Sequence, residues 1–276
     1  LTDAAWDGPL SVRKPVLFGI STGVTLMSLG WIQSKLPPTG YDRWLRRLLS
    51  MSLLIEVGLI TMQYWRGRRS HFNHDTMIDS WVDRAITWLI VVAAIAIFDI
   101  SRRSFQPINA SASMRLAIRG GIAFLMISCG LGFFILFYGE HLASKGRSPT
   151  TFGAAGVMKF PHGVTIHAVQ FLPVLTWVLA KLRIPMHRQR RSVTFAIASL
   201  ASLLVFSLWQ TLHGLPRFAI EPVGAVMLCS SAGFGLISLS QIFFAATPSP
   251  SSTSSHSDGS RVNGSADVHG RSESKA

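Results

Sequence analysis

Two regions of this sequence hold residues suited to chemistry. Glu56 stands in the middle of an apolar run, with LLSMSLLI before it and VGLITM after it. A carboxylate at the centre of a membrane helix costs roughly 2.5–3.5 kcal/mol on insertion scales, so it needs a partner inside the bundle. Such a group handles a proton or an ion, or else ties helices together by hydrogen bonding. The second region is RGRRSHFNHD, residues 66–75, which packs three arginines, two histidines and an aspartate into ten residues. A helix turns about 100° per residue, so Gln63 lies about 20° around from Glu56 and about 10 Å further along the axis. Arg66 continues the same face. Glu56, Gln63 and Arg66 therefore form the candidate path for a proton or an ion.

Histidine supplies the other chemistry. Six of the nine histidines, namely His71, His74, His141, His162, His167 and His213, fall at segment ends on one side of the alternating pattern of apolar runs. Neutral imidazoles in a bundle interior suit zinc, iron or copper, which makes His71, His162, His167 and His213 the candidate metal ligands. Glu221 adds an oxygen donor on that side. A haem needs facing histidines, for which His167 and His213 are the pair on offer. Spacing limits the idea: His162 and His167 are five apart, about 140° around a helix, and share one metal only if the helix begins between them. His167 with Gln170, and Gln210 with His213, are three apart and share a face. Ser70, His71, Asn73 and Gln170 form the candidate polar cluster, since each offers directional hydrogen bonds where a plain helix end needs only polarity.

Positioning these groups requires membrane helices. Hydrophobic residues make up 49% of the 276 and charged residues only 14%, too apolar for an ordinary soluble domain. A span needs about 20 apolar residues, and seven runs qualify, near 15–34, 48–65, 85–100, 116–137, 163–180, 193–212 and 223–245. The expected fold is all-α, an integral membrane bundle of about seven transmembrane helices. Residues 1–14 form an interfacial segment ahead of it, and 246–276 form a disordered Ser/Gly-rich tail that includes His256 and His269. Lysine and arginine number 13 on one side, before the tail, and 10 on the other. This asymmetry places the N-terminus outside and the C-terminus in the cytoplasm. The formal charge of +13 is spread over both faces at helix ends, which points to membrane lipids as the anionic partner and away from nucleic acid. Cys129 and Cys229 fall within spans, so neither a disulfide framework nor a CxxC metal site is available. Small residues serve helix packing: Gly19 and Gly23 in GxxxG spacing in the first span, Gly120, Gly121, Gly130 and Gly132 in the fourth, and Gly224, Gly233, Gly235 and several serines in the seventh.

Three segments carry a resemblance. QYWRGRRSHFNHDTMID, residues 63–79, resembles a Q-x-x-R-G-x-x-S-H-F-N motif followed by aspartate, and HGVTIHAVQFLP, residues 162–173, resembles H-x-x-x-x-H-A-x-Q-x-L-P. Both motifs occur in one family of bacterial multi-pass membrane proteins. GPLSVRKPVLFGIS, residues 8–21, is similar to that family's lysine-containing approach to the first helix. The matching residues are Gln63, Arg66, Gly67, Ser70, His71, Phe72, Asn73, Asp79, His162, His167, Gln170 and Pro173. The segment TTFGAAGVMKFPH is shorter than the Gly-rich loop of that family. The resemblance implies residence in a bacterial inner membrane and implies no particular reaction.

Three functions compete on the sequence. One is a metal, haem or proton site at the outer face, acting in redox or hydrolytic chemistry. Seven-helix metal-dependent membrane hydrolases compare in architecture only, because span seven lacks their histidine pair. Another is a small-solute or ion carrier that uses Glu56; no inverted repeat supports it. The last is a sensor, or an accessory subunit or homo-oligomer, without chemistry of its own. Retinal chemistry is disfavoured because span seven has no lysine for a Schiff base.

Overall fold

A computed structural model describes residues 10–243 of the chain. Residues 1–9 and the Ser/Gly-rich tail, with His256 and His269, lie outside the described residues. The chain forms α1 (Arg13–Gln33), α2 (Asp42–Trp65), α3 (Met77–Ser104) and α4 (Ala112–Ala143). A short hairpin follows, β1 (Thr151–Phe152) and β2 (Gly156–Val157), and then α5 (Lys159–Ile166), α6 (Ala168–Lys181), α7 (Met186–Leu212) and α8 (Pro222–Phe243).

Among the described residues, six helices are long and apolar enough to cross a membrane: α1, α3, α4, the α5–α6 pair, α7 and α8. The architecture is thus an all-α bundle of the integral membrane type. The helix α2 is not among the six; its 24 residues include Asp42, Arg43, Arg46, Arg47 and Glu56. It still packs lengthwise against α1 and α3.

Local sequence sets the helix ends. Thr76 caps α3, its hydroxyl accepting the Asp79 amide at 3.1 Å, and Arg102 and Arg103 occupy the last turn, where cations favour the helix dipole. Ser111 caps α4 through the Met114 amide at 3.3 Å. Helix α4 has 32 residues, about 48 Å at 1.5 Å per residue, against a hydrocarbon core of about 30 Å. Its final turns meet the loops at one end of the bundle, where Gly139 lies against Phe72 and Glu140 against His74.

The core runs through the middle, where Leu29, Ile32, Ile100, Ile118, Ile122 and Val169 are all nearly or fully buried. A second cluster joins α4, α6 and α7 through Ala117, Leu172, Leu179 and Val193. Large apolar residues face outward as well, including Met27, Ile95 and Leu236, and tryptophans 65, 81 and 88. That inversion suits a protein whose solvent is lipid.

Small residues do the packing between α7 and α8. Ser192 and Ser238 each donate to the other's carbonyl at 2.9 Å, and Ser199 and Ser231 do the same at 2.8 Å. These reciprocal bonds tie two antiparallel helices without burying an unsatisfied hydroxyl. The GxxxG pair of α1 behaves differently: Gly19 lies near Val57, but Gly23 has open space around it.

The expected fifth span is interrupted. Residue His167, at φ −92 and ψ 0, separates α5 from α6. Pro173, six residues on, has no amide to bond back to Val169, and α4 passes close to the break. A side chain at Gly121 would put its Cβ 2.8 Å from Val169 Cα and 3.1 Å from the Ala168 carbonyl. The hairpin is the other departure from a purely helical reading. It closes onto the end of α7, where the Ala155 amide donates to the Gly214 carbonyl at 2.9 Å and Thr211 Oγ1 donates to the Val157 carbonyl at 3.1 Å.

Candidate functional site

The α2–α3 loop is built around Asp79, which is fully buried. Its Oδ1 accepts from Gln63 Nε2 at 3.0 Å and from Arg66 Nη1 at 2.9 Å, and its Oδ2 accepts from Thr76 Oγ1 at 2.8 Å. Arg66 also donates to Gln63 Oε1. Gln63 and Arg66 come from the last turn of α2 and the residue after it, so this knot locks the exit of one helix to the start of the next. Gly67, at φ +65, makes the turn that only a residue without Cβ adopts freely. Asn73 Nδ2 donates to the Arg69 carbonyl at 3.0 Å, and Asn73 Oδ1 accepts the Asp75 amide at 3.2 Å. Sequence reasoning placed Gln63 and Arg66 on an ion path; here they anchor a loop.

Inside the loop, Ser70 and His71 turn toward α1. Lys14 donates to Ser70 Oγ and lies 3.2 Å from His71 Nδ1, while Ser70 Oγ is 3.0 Å from the same nitrogen. Ser70 Oγ accepts from Lys14 and so can give its own hydroxyl proton to Nδ1, which assigns the ring proton to Nε2. Burial holds the His71 imidazole well below the usual histidine range, and the nearby Lys14 and Lys159 charges push in the same direction. His71 is therefore neutral at physiological pH.

Below this group, Glu56 is 1% exposed, and its Oε1 has no hydrogen-bond donor. Lys14, Ser70 and His71 thus form one hydrogen-bonded group at the loop-bearing end, and Glu56 lies buried in α2 toward the interior of the bundle.

The next loop residues turn the other way. Phe72 takes φ +56, a rare value for a residue with a side chain, and its amide donates to Asp83 Oδ1 at 2.8 Å. The Phe72 ring fills the space left by Gly139, where a Cβ would lie 2.7 Å from Phe72 Cζ. His74 then reaches α4, with Nε2 2.6 Å from Glu140 Oε1.

The four histidines expected to gather at one metal are dispersed. His162 faces α4, its Nδ1 2.9 Å from the Ser128 carbonyl, with Ser128 Oγ at 3.0 Å. His167 is exposed at the helix break. His213 is exposed, stacks on Trp209 with ring centroids 3.7 Å apart, and faces the Trp209 carbonyl at 3.0 Å. Among the described residues, none of His71, His162, His167 and His213 belongs to a group of three or more donors within reach of one ion. The haem pairing of His167 and His213 gains no support from this arrangement. The Gln170 side-chain amide contacts Thr25 Oγ1 at 3.0 Å, tying α6 to α1, and Glu221 is exposed at the start of α8.

No protein-family model, curated protein or solved structure matches this chain.

Sequence reasoning missed the roles of Lys14, Asp83 and Glu140. Lys14 was noticed only as part of the approach to the first helix. Asp83 follows Asp79 at i+4 and so shares its helix face, a signal that was there to read. The arrangement offers two capabilities: a neutral imidazole, an ammonium and an unpaired carboxylate in sequence, and a separate gathering of carboxylates with His74.

Proposed function

We propose that the protein is a proton-handling membrane protein of a bacterial inner membrane, in which Glu56 exchanges a proton with the outer face through Lys14, Ser70 and His71. In this reading α2 is the seventh span, the N-terminus is outside and the C-terminus cytoplasmic. The observation that carries it is the Glu56 carboxylate, buried with an oxygen lacking a donor, in a bundle whose loop-bearing end holds a lysine hydrogen-bonded to a histidine. A carboxylate kept only to tie helices would have both oxygens satisfied. An ionisable group inside a span that faces a partner and a route to water suits a proton relay. The basic residues at helix ends contact lipid headgroups.

Reconstitution into vesicles that enclose a pH-sensitive dye tests the proposal. An imposed pH step should give a proton flux above that of protein-free vesicles, and Glu56→Gln should abolish it. A wild-type protein with no flux, or a Glu56→Gln variant with wild-type flux, overturns the reading.

A further inference from the structure

We propose that the α2–α3 loop and the adjoining ends of α3 and α4 form a site for one divalent transition-metal cation, held by His74, Asp83 and Glu140. One donor atom from each residue lies within 4.8 Å of the other two. Ligands at about 2.0–2.2 Å from a shared ion stand roughly 3–4 Å apart, so closing on a cation needs only small side-chain shifts. The three donors come from three elements, and two of them sit on helices.

Asp83 provides a second and independent indication. It is 9% exposed, and Oδ1 is occupied by the Phe72 amide. Among the described residues, neither Asp83 nor Glu140 forms an ion pair with lysine or arginine. Two carboxylates are thus brought together with only an imidazole between them. Like charges at this distance repel, and a cation at their centre reverses the sign of the interaction.

The donor set decides the class of ion. An imidazole nitrogen with two carboxylate oxygens favours zinc, manganese or iron(II) over magnesium and calcium, which take oxygen donors. His74 and Glu140 are about half exposed, at 46% and 47%, so water fills the remaining coordination positions. His74 Nε2 lies 2.6 Å from Glu140 Oε1, within hydrogen-bond distance. Metal takes the Nε2 lone pair. In a neutral ring the proton moves to Nδ1, and in a protonated ring one proton leaves to solvent, so binding weakens in acid.

The site is separate from the proton route in its ligands, so its test stands apart from that of Glu56. Purified full-length protein in mild detergent, stripped with chelator, is titrated with zinc against a chromogenic competitor. One equivalent should bind, magnesium should not compete, and Glu56→Gln should bind as wild type does. His74→Gln and Glu140→Gln should each weaken zinc binding by at least about tenfold. Both change half-exposed side chains and leave the fold intact by circular dichroism, whereas Asp83→Asn also disturbs the Phe72 loop. Absence of stoichiometric zinc on the wild type, or unchanged affinity in both His74→Gln and Glu140→Gln, overturns the proposal.

Discussion

Replacing Asp79 by alanine should be among the most damaging single changes at the loop-bearing end. Asp79 accepts three side-chain hydrogen bonds, from Gln63, Arg66 and Thr76, at 3.0, 2.9 and 2.8 Å. Bonds to a charged acceptor contribute about 1.5–3 kcal/mol each, and they are not additive. Truncation also leaves the fully buried Gln63 amide with only its long 3.4 Å bond to the Arg69 carbonyl, a loss of up to about 1–3 kcal/mol. Breaking one side of a buried ionic group costs about 3–5 kcal/mol in total, which bounds the estimate. At 1.4 kcal/mol per factor of ten, the unfolding equilibrium should shift by about 100- to 4,000-fold. Arg66 is 32% exposed, so water replaces much of its pairing, and Arg66→Ala should cost only about 1 kcal/mol. Asp79→Asn keeps an acceptor and should fall between the two. The assay is unfolding in mild-detergent micelles titrated with a denaturing detergent and followed by tryptophan fluorescence. An Asp79→Ala variant within 1 kcal/mol of wild type, or an Arg66→Ala variant as unstable as Asp79→Ala, refutes the loop-lock account.

Two further outcomes follow from the same end of the bundle. The native state holds His71 neutral, whereas the unfolded chain takes up a proton near pH 6.5. The unfolded state then binds more protons, so stability falls as pH drops below about 6.5 and levels off below the depressed native value. Denaturation series at several pH values should show this decline in the wild type and a weaker one in His71→Asn; equal slopes would count against a neutral His71. Gly139→Ala forces a methyl to within 2.7 Å of Phe72 Cζ and of the Pro149 carbonyl, and overpacking of this kind costs about 1–3 kcal/mol. It should destabilise the protein and expose the Phe72 loop to protease, and a variant as stable and resistant as wild type would show that the loop gives way freely.

The apolar runs were legible because lipid sets a minimum apolar length for a spanning helix, and the helical segments formed where those runs lie. The interruption at His167 was not, because it depends on how closely α4 approaches over Gly121, a contact between residues distant in sequence. The motif around SHFN was legible as directional hydrogen bonding, and Ser70, His71 and Asn73 all make such bonds. Which histidine meets carboxylates was hidden. The sequence drew attention to His71, but the left-handed turn at Phe72 sends His71 toward Lys14 and His74 toward Glu140. Periodicity could not show that α4 extends far enough to meet the loop. GxxxG in α1 suggested a tight seam, yet only Gly19 has a neighbour, because the spacing alone does not choose a partner helix.

The hairpin between α4 and α5 has a consequence for biogenesis. Its backbone partner, the Gly214 carbonyl, and its side-chain partner, Thr211, lie at the far end of α7. A chain made from its N-terminus inserts α4, α5 and α6 well before those partners leave the ribosome. The connection at residues 151–157 therefore waits, unlatched, until α7 has been delivered to the membrane, and the order of synthesis makes this one of the last joints to close.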